Sequence, residues 1–294
     1  MLSDFVQSII IVLCINMIAV LGVSILTGFT NLFSFGNAGF MSIGAYTSSL
    51  LTLKLGVPFL PALAAGIIAA GIIAYLLGSI TLKLKGDYFL ITTLGFGECV
   101  RVLFNYIAPL TGGAKGMPGI TKYTTFGVAV GSLVLAIVIA WTFVYSKYGR
   151  NLAAIREQEI AAEAVGINLT KYKRIAFVFS ALFAGWAGVL FAHFMMYVTP
   201  AMFNVAKSSE MAITVVIGGI GSLTGSILGT ILVTLLPEVF RSLANFRMLL
   251  YGIAVVVVIV LRPNGLFGHR EFSITGIVRW CKRILSHRKK IKER

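Results

Sequence analysis

The sequence predicts an all-α, polytopic membrane protein, a bundle of about eight to ten transmembrane helices in which some helices are short or broken. Three observations predict it. Of 294 residues, 58% are hydrophobic and only 12% charged, with a mean hydropathy of +0.94, so several stretches each supply the roughly 20 apolar residues that a bilayer crossing needs. Apolar runs such as IIIVLCINMIAVLGVSIL are continuous, whereas the strands of a membrane barrel alternate apolar and polar residues. The 25 basic residues are clustered: residues 146–174 hold six and residues 262–294 hold ten. Such clustering beside spans is the positive-inside pattern and places both segments in the cytoplasm.

Taken in order, the spans read as Phe5 to Leu26, Gly36 to Leu53, Phe59 to Leu82, Phe89 to Tyr106, Phe126 to Tyr145, Ile175 to Tyr197, a composite stretch from Asn204 to Phe240, and Met248 to Leu261. The first has no basic segment before it and no small-residue cleavage site after it, so it reads as a retained span. If residues 146–174 and the basic tail share a side, an even number of crossings separates them, and Asn204 to Phe240 has to cross twice with short or broken helices. Gly218, Gly219, Gly221, Gly225 and Gly229 lie in its middle, where they loosen a helix and allow close backbone approach. Counting back, Lys83 to Asp87 falls inside and the TGGAKGMPG loop outside, giving about nine crossings and an external N-terminus. The GFTNLFSFGNAGF region is an alternative re-entrant segment that would change the parity. Two glycine-interrupted segments, 28–44 and 218–229, sit in opposite halves of the chain, as in an inverted repeat with a pathway between its halves; the plainer reading is close helix packing.

Between the spans lies a polar island, SKYGRNLAAIREQEIAAEAVGINLTKYKR, residues 146–174. Its pattern predicts a helix capped by Asn151 and running to Val165, with Gly166 just past its end. At 100° per residue, Arg156, Glu159 and Glu163 share one face and Ala154, Ala161 and Val165 the other. A second helical start at Asn168 or Thr170 runs into the span at Ile175.

Within the spans, Glu98 and Arg101 are three residues apart on one helix face. Intramembrane charges are costly and pair or line a polar cavity, so the pair reads first as structural, with pathway lining or gating as the alternative. Glu210 opens the composite stretch first as a helix N-terminal charge, with contact to a cationic group of a solute or to a protein outside the membrane as the alternative. Asn31, Ser34, Asn37, Ser42, Thr92 and Thr93 offer weak, multiple hydrogen bonds to a passing polar solute. With Glu98, Arg101, Glu210, Gly218, Gly219 and Gly221 they make up the candidate pathway and gating set. His193 stands alone and reads as a packing residue, and no metal site is expected. Cys14, Cys99 and Cys281 are far apart in sequence and indicate no metal knuckle or disulfide framework.

The island resembles the cytoplasmic EAA-type loop of ABC importer permeases, in the form GRNLAAIREQEIAAEAVGINLTKYKRIAF. Other segments match in order: GFTNLFSFGNAGFMSIGAYTSSLL, GDYFLITTLGFGECVRVLFN, LTGGAKGMPGI, AGWAGVLFAHFMMYVTP, VIGGIGSLTGSILGT and RPNGLFG. Together they resemble the LivM-type permease subunit of the high-affinity branched-chain amino-acid ABC transporter family, over residues 20–268. The resemblance implies a type II importer-like bundle in a bacterial plasma or inner membrane. It also implies a second, LivH-like permease, two ABC ATPases and an external substrate-binding protein. Those ATPases would grip the loop through Arg150, Ala153, Ala154, Arg156, Glu157, Glu159, Ala161, Ala162 and Gly166. The expected organisation is a permease domain over 1–268 and a basic cytoplasmic tail over 269–294, of which Arg279 to Arg294 is also suited to anionic lipid.

The expected function is import of amino acids, with leucine, isoleucine and valine foremost, or of urea or short amides by the same machinery. The chain has no GxxxxGK[ST] string, so ATP and magnesium belong to partner subunits and no cofactor is expected here. An ion-coupled secondary transporter is the competing class, but only ten acidic residues are present, three in the island and two in the tail, which leaves Glu98 as its main candidate site. No HExxH or GxSxG string occurs, so an embedded enzyme is not indicated. Nucleic-acid binding is not expected either, since no base-reading module accompanies the charge.

Overall fold

The computed structural model describes residues 4–84 and 86–239, together with 252, 253, 255–257, 260 and 265. The expected span at Met248 to Leu261 therefore lies largely outside the described residues, and the basic tail wholly so.

Among the described residues, α1 (Asp4–Thr30), α3 (Phe59–Thr81), α6 (Phe126–Tyr145) and α9 (Leu169–Met195) are long and apolar enough to cross a membrane. The helix α4 (Asp87–Tyr106), continued past an 80° bend into the short α5 (Ala108–Thr111), is a fifth. Between them stand α2 (Asn37–Lys54), α7 (Lys147–Glu157), α8 (Glu159–Ala164), α10 (Val205–Gly218) and α11 (Leu223–Val239). This is an all-α, multi-pass membrane bundle. The only pairing of strands among the described residues is two residues long, Met117 opposite Val198 and Pro118 opposite Tyr197. It ties the glycine-rich loop to the end of α9.

Burial sorts the helices into layers. In α1 and α9, 78% and 72% of the most apolar window is buried, against 28% in α3 and 22% in α6. Helices α1, α2 and α9 therefore form the centre. Around them, α3 and α6 turn residues such as Ile68, Ile72, Leu76, Val134 and Val138 outward, as lipid-facing helices must. The centre closes through small residues: a Cβ on Gly44 of α2 would stand 2.7 Å from the Gly185 Cα of α9, and one on Gly22 of α1 would stand 2.6 Å from the Phe183 Cβ. Without a hydrophobic force between helices in lipid, such backbone approach supplies the packing energy.

Contacts fix the direction of each helix. Thr30, at the end of α1, lies near the island, because neighbouring Asn31 bonds to Arg156, whereas Phe5 lines the same groove as Met195 at the far end of α9. From there α2 and α4 lead away from the island end, while α3 and α6 lead back to it: Gly78 of α3 packs on Phe177 and Arg174, and Phe143 of α6 stacks on Phe179. The GFTNLFSFGNAGF region is not a hairpin. Residues 31–36 are non-helical, and α2 begins at Asn37, beside Ser180 of α9, so this crossing is an extended entry followed by a helix.

The composite stretch Asn204 to Phe240 is broken, as the topology argument required. By helical rise α10 spans ~21 Å and α11 ~26 Å, each short of the roughly 30 Å hydrocarbon core. They form a hairpin whose bend, residues 219–222, sits at the island end, where a Cβ on Gly28 would stand 2.7 Å from the Gly221 nitrogen. On its return, α11 bonds Ser226 to Ser24 of α1 at 2.7 Å. The two glycine-interrupted segments thus meet.

The alternation of α1, α2, α3, α4, α6 and α9 sets the loop after α4 opposite the island. In a cysteine-free background, single cysteines at Lys115 and Glu163 should label from opposite sides of the membrane with an impermeant maleimide. Labelling of both from one side would refute the arrangement.

Candidate functional site

Two short helices make up the island, where the sequence pattern gave one. Ser146, and not Asn151, is the cap: its side chain accepts a hydrogen bond from the Tyr148 N–H at 3.1 Å, and Asn151 lies inside α7. Gly149 lies in the first turn of α7. Here its missing side chain permits the tight step out of α6, since a Cβ would stand 2.6 Å from the Val144 Cα.

The second correction is at Gln158, whose extended backbone (φ −160°, ψ 110°) separates α7 from α8. The break lays α8 against the start of α9, where Glu159 accepts from the Lys173 Nζ at 2.7 Å and Ala162 is buried. Consequently Arg156, Glu159 and Glu163 do not share a face. Two expectations hold: Gly166 follows the helix in the left-handed region (φ 87°), and Asn168 caps α9 by accepting from the Lys171 N–H at 3.0 Å.

The inner face of the island is seated by Leu152 and Ile155, each 1% exposed. Arg156 also turns inward. Its Nη1 donates to the Gly28 carbonyl at 3.2 Å, its guanidinium lies 5.8 Å from the centre of the Phe29 ring, and its Nη2 donates to Glu157 at 2.9 Å. Asn31, left-handed at φ 53°, ends α1 and donates from Nδ2 to the Arg156 carbonyl at 3.2 Å. On the other side Arg156 abuts Gly221, itself at φ 91°, where a Cβ would collide with Nη1. One arginine thus joins the island to the end of α1 and to the bend between α10 and α11.

The outer face is of a different kind. Arg150, Ala154, Glu157, Glu159, Ala161 and Gly166 are exposed, with Ile160 at 78% and Val165 at 77%. Ala153 is half-buried and Ala162 buried. Two large apolar side chains thus stand exposed among charged neighbours.

The candidate pathway residues do not come together in one place. Asn31, Gly218, Gly219 and Gly221 come together at the island end of the bundle. Ser34, Asn37 and Thr93 are buried and pin the extended entry to α2: Thr93 Oγ1 accepts from the Phe35 N–H at 3.2 Å, Ser34 Oγ from the Gly36 N–H at 3.3 Å, and Asn37 Oδ1 from Ser180 at 3.2 Å. Buried Ser42, further along α2, has no hydrogen-bond partner for its hydroxyl among the described residues. Half-buried Thr92 donates to its own helix, at the Tyr88 carbonyl.

The charged groups are half-exposed and paired. Arg101 donates from Nε to Glu98 at 2.8 Å. Glu210 accepts from Lys207 at 3.0 Å, and Lys207 also donates to Asn16 of α1 at 3.2 Å. Sequence reasoning missed Lys207 and Asn16; the i,i+3 spacing of Lys207 and Glu210 was the available signal. His193 packs edge-on against Phe59, with ring centres 5.1 Å apart.

Residues 5–261 match the family described as branched-chain amino acid transport system / permease component. The chain belongs to this family. It is 35% identical over 281 residues to the high-affinity branched-chain amino acid transport system permease protein LivM of Salmonella typhimurium, and 34% identical over 280 residues to that of Escherichia coli K12. Both matches cover 84% of this chain and 66% of the relative, so the chain spans just under two thirds of their length. A probable LivM of Methanocaldococcus jannaschii is 26% identical over 230 residues, 68% of this chain and 66% of the relative. No solved structure matches the chain.

Because Gly221 holds a left-handed backbone against Arg156, Gly221→Ala should destabilise the detergent-solubilised protein by about 1–2 kcal/mol from the backbone alone, read as a lowered melting temperature. Gly127 of α6 has open space around it, and Gly127→Ala should leave stability unchanged or raise it by up to about 1 kcal/mol. Equal effects at both positions would refute the role given to Gly221.

Proposed function

We propose that this chain is the membrane-spanning permease subunit of an ATP-binding-cassette importer for amino acids, with leucine, isoleucine and valine as its cargo. Hydrolysis belongs to separate ATPase subunits, which carry the ATP and magnesium; this chain supplies passage and coupling and is not itself an enzyme. Its complex would hold a second, LivH-like permease, two ATPases on the island side and a substrate-binding protein on the opposite side, in a bacterial plasma membrane. The names of the relatives support the cargo and the permease pair, and the clustering of basic residues supports a cytoplasmic island.

The observation that carries the reading is the two-faced island. Its outer face presents Ile160, Val165 and Ala161 to a soluble partner, and its inner face holds Arg156 against Gly28 and Gly221. A partner that displaced α7 and α8 would act through Arg156 on the end of α1 and on the α10–α11 bend together. Lys173 and Glu159 carry the same displacement into α9. Switching between outward and inward openings needs an element with two arrangements, and we assign that role to the glycine-bounded bend because the island contacts it through Arg156. Glu98 is paired with Arg101 and Glu210 with Lys207, which counts against either carboxylate as an unpaired proton site of the kind a secondary transporter uses.

The two faces are separable by mutation. In proteoliposomes holding the whole complex, Arg156→Ala should retain ATPase co-purification while uptake per ATP hydrolysed falls roughly tenfold or more, the scale of a lost charge-assisted hydrogen bond. Ile160→Asp with Val165→Asp should lose ATPase co-purification while the chain keeps its melting temperature. Uptake that proceeds without ATP would overturn the assignment in favour of ion coupling. The cargo is checked separately, by a ligand screen on the cognate binding protein; preference for urea or a short amide would replace the substrate and leave the mechanism standing.

A further inference from the structure

We infer that the groove between α3 and α9, at the island end of the bundle, is a binding site for an anionic phospholipid. The groove encloses about 620 Å³. Its walls are apolar, made by Ile175, Val178 and Leu182 of α9 with Tyr75 of α3 opposite, and its rim carries Lys171 and Arg174. Apolar walls below two cations reproduce the order of groups in a phospholipid, acyl chains below and phosphate above.

Arg174 carries the argument furthest. Its guanidinium lies over the Tyr75 ring at 5.4 Å. Its buried Nε finds no hydrogen-bond acceptor among the described residues, a position that is costly unless an acceptor arrives. Neighbouring Lys173 is committed to Glu159, whereas Lys171 is exposed at the groove rim. The groove also opens at the first turn of α9, a 27-residue helix, whose N-terminal dipole favours negative charge. Basic pockets between helices at the cytoplasmic boundary hold acidic headgroups for these reasons. The chain's own tail, with ten Lys and Arg in residues 262–294, has the wrong charge to fill the rim. The inference rests on the membrane placement of α3 and α9 and is independent of what the chain transports.

The test uses the full chain in neutral detergent, with dioleoyl phosphatidylglycerol and dioleoyl phosphatidylcholine as probes, read by native mass spectrometry and thermal shift. Phosphatidylglycerol should be retained and should raise the melting temperature, with phosphatidylcholine much weaker. Lys171→Gln with Arg174→Gln should weaken phosphatidylglycerol binding roughly 30-fold, the scale for two basic groups at a headgroup, and leave phosphatidylcholine unchanged. Ile175→Trp, which keeps the charges and fills the apolar wall, should weaken phosphatidylglycerol as well. Equal retention of the two lipids by the unmutated chain, undiminished phosphatidylglycerol binding in the charge variant, or displacement by soluble glycerol phosphate would each overturn the proposal. The comparison of lipids on the unmutated chain decides the matter even if a variant fails to fold.

Discussion

A helix that ends within a bilayer strands N–H and C=O groups where no water can reach them, and the central layer of this protein is arranged around supplying their partners. Arg156 reaches the Gly28 carbonyl, and Asn31 returns a bond to the Arg156 carbonyl. Along the extended entry to α2, Thr93, Ser34 and Ser208 accept from the Phe35, Gly36 and Ala38 N–H groups. At the bend between α10 and α11, Ser222 accepts from the Gly225 N–H. An unsatisfied group in hydrocarbon costs several kcal/mol, so these side chains are what make broken helices tolerable in the centre of the bundle.

That requirement gives several polar residues a structural reason before any functional one. Ser34, Asn37 and Thr93 are buried and bonded within the chain, so they hold the entry to α2 in place and do not line an open surface. The half-exposed charges are different: the Glu98–Arg101 and Lys207–Glu210 pairs sit on α4 and α10 with part of their surface free. Those pairs leave polar surface on the two helices. The breaks and the charges thus divide the work between holding the bundle and presenting a polar surface.

The same constraint ties the island to the bundle. Because the guanidinium of Arg156 serves the end of α1 and lies against the bend at Gly221, α7 cannot be displaced without leaving the Gly28 carbonyl unpaired. Lys173 and Glu159 add a second, more exposed link to α9. Surface ion pairs of that kind contribute little to stability, so Arg156 is the stronger of the two ties.

Much of the architecture was legible in the chain itself. Continuous apolar runs gave α1, α3, α6 and α9 nearly to their ends, because burial in lipid is a property of composition over some twenty residues. Charge parity and five glycines required the stretch after Asn204 to break, and it does so at residues 219–222. The island stood out by polarity, but its internal arrangement did not. A helical pattern places Arg156 beside Glu159 on an outward face, and only tertiary packing turns Arg156 inward. The reason is that its partners, the Gly28 carbonyl and the space above Gly221, come from segments 128 and 65 residues away. Local periodicity carries no information about a carbonyl freed by a helix end elsewhere, so the sequence determined which segments enter the membrane and the tertiary structure decided which of them the island holds.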